Sequence, residues 1–287
     1  VILEEMSMYE DDPADAIQDE FDEVVFGHHP LGQNILGTRE SVKSFSKASF
    51  DAFIAKNMNT ERVIFASVGP QSFQQVLKTC QKYLQDIPRI TNQKNRDIFS
   101  GYVPNIRVLE KGVNQSHCMI GGLAYSSHHE KRLPFVVLNN LLGGPGMNSR
   151  LNLSIREKYG YVYSIYSNYS SFAETGLFSV QFATEPNTFK RSYNLVQKEL
   201  KRLQTTLLGK MQLHTAKQQI IGQLAMSEEG NLGLMLMFAK SLLDFNKIET
   251  IDSVFERIEA VTATQIIDMA NEIFEPSRLS QLEYHPE

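Results

Sequence analysis

Two adjacent glutamates near the start of the chain, Glu4 and Glu5, carry the first side chains that could do chemistry. A carboxylate can bind a metal cation, and a helix that presents one can supply a ligand to a zinc site. In VILEEMSMYEDD, the apolar residues Ile2, Met6 and Tyr9 have helical spacing, so the sequence predicts a helix that carries the pair. The alternative interpretation is that both glutamates are solvated surface charges.

Histidines do not complete a metal site by their spacing. The chain has seven of them, at positions 28, 29, 117, 128, 129, 214 and 285. Two histidine ligands on one helix face need i, i+4 spacing. His128, His129 and Glu130 are adjacent, so we interpret them as a solvated turn. We interpret His28 and His29, which open a Gly- and Pro-rich loop at 27–41, as structural or surface residues.

Composition limits the class of protein. The 287 residues are 42% hydrophobic, enough for a sizeable core, and the formal net charge of −5 argues against a nucleic-acid partner. No uninterrupted apolar run approaches the roughly 20 residues that a membrane-spanning helix needs. Cys80 and Cys118 do not make a disulfide framework, which is compatible with a reducing compartment. We therefore expect a cytoplasmic protein without a membrane span.

Hydrophobic periodicity predicts an α+β fold. An amphipathic helix is predicted after Asp12-Pro13, and further helices are predicted at residues 47–58, 71–85, 133–144, 149–160, 187–204, 211–226, 231–243 and 262–274. Strands are predicted at residues 62–69, 106–112, 117–127, 161–171, 176–184 and 278–286. The tight connection between the strands at 161–171 and 176–184 favours a mostly antiparallel sheet packed with helices.

The chain contains an internal repeat. The stretch from Ala48 resembles the stretch from Ala263: each has a helix, then an arginine, then a β-rich segment and a proline. The arginines are Arg62 and Arg278, 216 residues apart. The helices, the arginine-led segments and a further pair, residues 4–11 and 222–229, recur in the same order at a nearly constant offset. This recurrence predicts two homologous domains.

The repeat also singles out Glu5. Residues 4–11 align with residues 222–229, and Gln223 falls opposite Glu5. An amide carries no negative charge and is a poor zinc ligand. The first copy therefore keeps an anionic group on this helix, and the second copy does not.

The repeat predicts a domain organisation. Residues 1–88 are expected to be the C-terminal part of a first domain, residues 89–105 a linker, and residues 106–287 a complete second domain of the same fold. Because the second copy starts near residue 105, we expect the first copy to begin about 110 residues before Val1.

Three further stretches carry a family resemblance. They are HHPLGQNILGT, LGGPGMNSRLNLSIREKYGYVYSIYS (142–167) and FAETGLFSVQFAT (172–184). Together with VILEEMSMYEDDP, they resemble the pitrilysin family of zinc metallopeptidases, which includes insulinase and the mitochondrial processing peptidases. The resemblance covers essentially the whole chain in order, and 142–167 is its most specific part. It implies duplicated domains, in agreement with the repeat.

The resemblance implies roles for individual residues. Glu5 would be the third zinc ligand, and the two histidine ligands and the base would lie in an H-x-x-E-H motif, absent from this sequence and expected roughly 75 residues before Glu5. Arg156 would hold the substrate backbone, and Tyr163, seven residues on, would donate a hydrogen bond to the developing oxyanion. Gly143 and Gly144 would belong to a substrate-contacting loop, and a helix C-cap is the alternative.

The implied function is zinc-dependent hydrolysis of peptide bonds in extended peptides or unfolded segments. The chain by itself is expected to be inactive, because it holds at most one of three zinc ligands. Expected partners are the peptide substrate and, in a homodimer or a heterodimer, a second related subunit. The alternative is a non-catalytic subunit or peptide-binding homologue on the same fold, like the core subunits of respiratory complexes.

Overall fold

The computed structural model describes residues 1–92, 97–227 and 229–287. Its α-helices are α1 Ile2–Glu10, α2 Pro13–Phe26, α3 Arg39–Ser44, α4 Lys47–Asn57, α5 Phe73–Leu84, α6 Arg132–Gly143, α7 Phe189–Thr205, α8 Lys210–Ser227, α9 Asn231–Phe245, α10 Ile251–Glu259 and α11 Ala263–Ile273. Its strands are β1 Ile106–Lys111, β2 Ser116–Ala124, β3 Val162–Ser171, β4 Gly176–Thr184 and β5 Ser280–Pro286. A π-helix, Asn152–Glu157, lies between α6 and β3.

The strands form one mixed sheet in the order β1-β5-β2-β4-β3. β1 runs parallel to β5, and the other neighbouring strands are antiparallel. The predicted α+β class and the hairpin of β3 and β4 are therefore confirmed. None of the described helices combines the length and the apolar character that crossing a membrane requires.

Residue contacts divide the chain into two compact units. The sheet unit comprises Val1–Lys43, Ile98–Gln218 and Ile258–Glu287, and the helical unit comprises Ser44–Asp97 and Gln219–Arg257. The helical unit contains α4, α5 and α9, none of which has a buried residue. The sheet unit contains all five strands and every residue of the predicted site.

Helices cover both faces of the sheet. On one face, Phe135 of α6 makes edge-on ring contacts with Phe178 of β4, and Phe274, just after α11, packs on the same ring. On the other face, α2 buries Ile17 and Phe21 completely. The core beneath α2 is completed by side chains from three strands: Met119, Leu177, Leu282 and Tyr284.

The start of α2 follows from its sequence. The Asp12 side chain accepts a hydrogen bond from the Ala14 amide at 2.8 Å, and Pro13 occupies the first helical turn, where its missing N–H costs nothing. The helix lies in the predicted first domain, yet its apolar face is buried against strands of the predicted second domain. Residues from both predicted domains thus share one core.

Asp22 of α2 makes the stability of the sheet unit depend on pH. Burial, and secondarily the Asp19 carboxylate, raises the pKa of Asp22 from 3.8 to about 6. Between these values the folded state binds more protons than the unfolded chain, so stability is lost as pH rises through this window. We expect Asp22→Asn to raise the free energy of unfolding by about 1–2 kcal/mol at pH 7, allowing for solvent screening, and to give little gain at pH 3.5.

Urea denaturation at both pH values measures this difference. Asp268→Asn, at an exposed position on α11, is the control and should show no comparable gain at pH 7. An Asp22→Asn gain of the same size at pH 3.5 and pH 7 would contradict the proposed cause.

The predicted strand at residues 62–69 is wrong. A 3-10 turn, Thr60–Arg62, is followed by residues 63–69, which belong to none of the described strands. Val63 and Phe65 are 61% and 59% exposed. β-rich composition gives a segment the propensity for a strand, but the strand also needs a hydrogen-bonding partner. Two short helices were not predicted: α3, which begins inside the predicted loop 27–41, and α10.

The order of elements recurs at the offset of the predicted repeat. α4 and α11 both begin with a capping box, at Ser46 and Thr262, and each is followed by a 3-10 turn. Glu228, in the aligned stretch, and residues 93–96, in the predicted linker, lie outside the described residues. The compact units follow other boundaries than 1–88, 89–105 and 106–287, and the division into homologous domains stays a prediction.

Candidate functional site

Arg156 lies on the π-helix rather than on a regular α-helix. Leu151 and Ile155 are fully buried and fix the inner face of this segment. Arg156 lies on the outer side, where its side chain is 36% exposed and its Nε is 4.0 Å from Oε1 of Glu157. π-Helical turns are rare and occur frequently at functional sites.

Tyr163 lies at a second backbone irregularity, a bulge at the start of β3. Val162 pairs with Thr184 and Ile165 pairs with Phe182, so β3 has one residue more than β4 between these pairs. Bulges redirect side chains and are frequent beside active sites. The Tyr163 side chain points into solvent and is 83% exposed.

The two irregularities bring the predicted pair together. The Arg156 guanidinium carbon lies 5.9 Å from the centroid of the Tyr163 ring, within the range of a cation–π contact. Arg156 also lines a cleft of about 530 Å³ together with Gly143 and Gly144. Four of the five predicted site residues therefore lie at or beside one concave surface. Arg156 is the one charged residue among the described residues of its lining.

Helix α2 also contributes to this cleft. Gln18 of α2 lines it together with Tyr166 and Asn168 of β3. The Gln181 side chain of β4 donates a hydrogen bond to the Ala14 carbonyl at 2.8 Å, which fixes the start of α2 on the sheet. The pKa of Tyr166 is raised, first by burial and then by the nearby carboxylates of Asp15 and Asp12. A molecule bound in the cleft would therefore contact polar groups from both predicted domains.

Gly143 and Gly144 are required by close packing. A Cβ atom at Gly143 would lie 2.5 Å from the amide nitrogen of Ser167 in β3, and one at Gly144 would lie 2.3 Å from Oδ1 of Asn140. Contacts this short leave room only for hydrogen. The glycines let the end of α6 approach the edge strand and shape one wall of the cleft. Contact with substrate, predicted for both, stays a prediction.

Glu5 lies on α1, as predicted, and the structure does not place it in the cleft lining. The side chains of Glu5 and Glu4 are exposed. Met6, the next residue of the same helix, is buried. Among the described residues, no three His, Cys, Asp or Glu side chains come close enough to hold a metal ion. The described residues therefore do not form a zinc site by themselves, and Glu5 as a ligand stays a prediction.

The histidines near the loops have structural contacts. The His129 ring stacks on Tyr125 at 4.6 Å, and its Nδ1 accepts a hydrogen bond from the Lys131 amide. Nδ1 of His29 accepts from the Leu31 amide at 3.2 Å. These bonds hold turns in place.

Among the lining residues that sequence reasoning did not single out are Gln18, Tyr166 and Asn168. Each is a polar residue in a predicted helix or strand, where solvent exposure is the default interpretation. Only the packing of α2 on the sheet brings Gln18 to the same cleft as Tyr166 and Asn168. The π-helix also gave no signal, because residues 149–160 have ordinary helical periodicity.

Comparison with known sequences identifies relatives. The family model described as "Peptidase M16 inactive domain" matches residues 44–220. The chain is 28% identical over 277 residues to the uncharacterized zinc protease YmxG of Bacillus subtilis, an alignment that covers 96% of this chain and 66% of that protein. The chain thus spans about two thirds of the length of this relative.

Solved structures share the fold. The peptidase M16 inactive domain from Pseudomonas fluorescens has a TM-score of 0.90 at 19% identity, covering 100% of this chain and 69% of the other. A protease from Helicobacter pylori has a TM-score of 0.87 at 17% identity, covering 99% and 70%. At these identities the likeness concerns the fold alone. The matched model covers more than half of the chain, and the chain therefore belongs to the peptidase M16 family, through the part described as its inactive domain.

Proposed function

We propose that the whole protein is a zinc-dependent metalloendopeptidase of the pitrilysin/insulinase type that hydrolyses extended peptides or unfolded segments. The observation that carries this proposal is the pairing of Arg156 with Tyr163 at two adjacent backbone irregularities beside a cleft. A purely structural surface would not need an exposed tyrosine at a bulge. The naming of the Bacillus subtilis relative as a zinc protease also supports the proposal.

The two side chains have complementary roles in the proposal. Arg156, the cation of the cleft, holds the carbonyl groups of an extended substrate backbone. The exposed Tyr163 hydroxyl donates a hydrogen bond to the oxygen on which negative charge develops. Donors fixed in advance at that position stabilise the transition state without reorganisation during the reaction. Arg156 beside the Tyr163 ring keeps the donor close to the bound substrate.

Glu5 is the one proposed zinc ligand among the described residues. The described residues supply this single carboxylate, and the two histidines and the base of H-x-x-E-H would lie outside them. In this proposal, Arg156 and Tyr163 of the inactive-type domain would contact the substrate, while the metal would be held mainly by residues outside the described part of the chain. This chain alone would be inactive. The unpaired thiols of Cys80 and Cys118 support a reducing compartment such as the cytoplasm.

Peptide hydrolysis by the whole protein tests this function. We expect the intact protein to cleave an unstructured peptide, to lose activity after treatment with a zinc chelator, and to regain it on addition of zinc. The Tyr163→Phe variant, purified in the same way, is the control for a contaminating peptidase, because a contaminant would cleave the peptide equally in both samples. Cleavage that survives complete removal of zinc would contradict the proposal.

The second candidate is a non-catalytic subunit or peptide-binding homologue on the same fold. It is favoured by the family model, which describes an inactive domain. Under this alternative, the intact protein would bind an unstructured peptide without cleaving it, in the presence or absence of zinc. Native mass spectrometry would show whether it forms a homodimer or requires a related subunit.

A further inference from the structure

A buried carboxylate on α7 has no place in the function proposed above. Glu199 is only 4% exposed, and each of its oxygens accepts from a different arginine. Nε of Arg150 lies 3.1 Å from Oε2, and Nη1 of Arg202 lies 3.1 Å from Oε1. A carboxylate removed from water is costly unless it is paired, so Glu199 depends on these contacts.

The two arginines belong to different elements of the fold. Arg202 is one helical turn from Glu199 on α7, and its side chain is 57% exposed. Arg150 belongs to the segment that leads into the π-helix, and its side chain is only 19% exposed. The pair of Glu199 with Arg150 therefore ties α7 to the backbone that carries Arg156, whereas the pair with Arg202 stays within α7.

The far end of that segment is tied down as well. The hydroxyl of Thr184 donates to the Tyr161 carbonyl at 2.6 Å, next to the bulge that presents Tyr163. The Asn152 amide donates to the Ser149 hydroxyl at 2.8 Å and keeps the first turn of the segment closed. Between the anchors at Arg150 and Tyr161, the outer side of the π-helix carries Leu153, which is 52% exposed, and Arg156.

We propose that Glu199 is a positioning residue for Arg156, acting through Arg150. This inference rests on the proposed function of Arg156. The ion pair fixes where the π-helix begins along α7, and that position determines where the guanidinium of Arg156 stands relative to Tyr163 and the cleft. Misplacement of a substrate-holding group by about 1 Å can cost about 10²-fold in rate, so a remote anchor can control turnover.

The experiment compares Glu199→Gln, Arg150→Gln and Arg202→Gln in the intact protein. We expect the first two to lower kcat/KM for an unstructured peptide about 10-fold, and Arg202→Gln to leave it within about twofold. Amide hydrogen exchange should become about 10-fold faster within residues 150–159 in the first two variants only, because this segment loses its anchor. Arg150→Gln keeps the test valid if Glu199→Gln does not fold.

A double-mutant cycle separates positioning from general stability. In an Arg156→Ala background, Arg150→Gln should cost less than about twofold further, because the group that it positions is already absent. Full additivity of the two losses, or equal effects of Arg150→Gln and Arg202→Gln, would overturn the positioning role and leave the proposed function standing. Wild-type activity of Arg156→Ala would overturn the function of Arg156 and the positioning role together.

Discussion

Replacing Tyr163 by phenylalanine in the intact protein is expected to lower kcat about 10²-fold and to leave KM nearly unchanged. The variant removes one hydroxyl and keeps the ring beside Arg156. Because Tyr163 is 83% exposed at a bulge, the loss of its hydroxyl leaves no buried group without a partner, and the fold should be unaffected. A loss confined to kcat indicates an interaction made only in the transition state.

Tyr159→Phe is the matched control for this measurement. Tyr159 lies four residues earlier and is 43% exposed, and its ring stacks on that of Tyr161 at 5.3 Å. Removing its hydroxyl deletes the same chemical group from the same surface, and turnover should be unchanged. If Tyr163→Phe also turns over at the wild-type rate, Tyr163 has no part in the mechanism.

Replacing Glu5 by glutamine should lower the zinc affinity of the intact protein by at least about 10²-fold, since the variant removes the anionic charge of a proposed ligand. Peptide hydrolysis should fall in parallel. Glu5 is exposed on α1, so the substitution should not change the stability of the fold. The metal content of dialysed protein, measured by elemental analysis, reports the affinity loss directly.

Glu4→Gln is the control, because Glu4 is the adjacent carboxylate on the same helix and is also exposed. It changes the net charge by the same amount and should keep both zinc and activity. Equal zinc content in the Glu5→Gln and wild-type proteins would exclude Glu5 as a ligand and leave the roles of Arg156 and Tyr163 to be judged separately.

Local signals in the sequence were sufficient for most elements of the fold. The cap and proline at Asp12-Pro13, the period of α7 and the tight connection between β3 and β4 each depend on neighbours in the chain. Such short-range interactions are present in the sequence itself. The candidate pair Arg156 and Tyr163 rests on a family resemblance, since an arginine and a tyrosine seven residues apart are common, and its role stays a prediction.

The shape of the site was not predictable. Arg156 lies on a π-helix and Tyr163 at a bulge. The segment that contains them must bury Leu151 and Ile155, contact α7 and pair β3 with β4 at the same time. Gln18 entered the cleft because α2 packs across the sheet, a contact between residues that are far apart in sequence. Periodicity in one segment carries no information about such contacts.

The two stretches of the predicted repeat separate the effects of neighbours in the chain from those of residues far apart in sequence. Both stretches form a helix with a capping box, at Ser46 and at Thr262, and a 3-10 turn after it, because these features depend on hydrogen bonds between near neighbours. The β-rich segments that follow have different outcomes. Residues Ser280–Pro286 become β5 between β1 and β2, whereas residues 63–69 belong to none of the described strands. A strand exists only when a neighbouring strand accepts and donates its backbone hydrogen bonds, and only the tertiary structure supplies that neighbour.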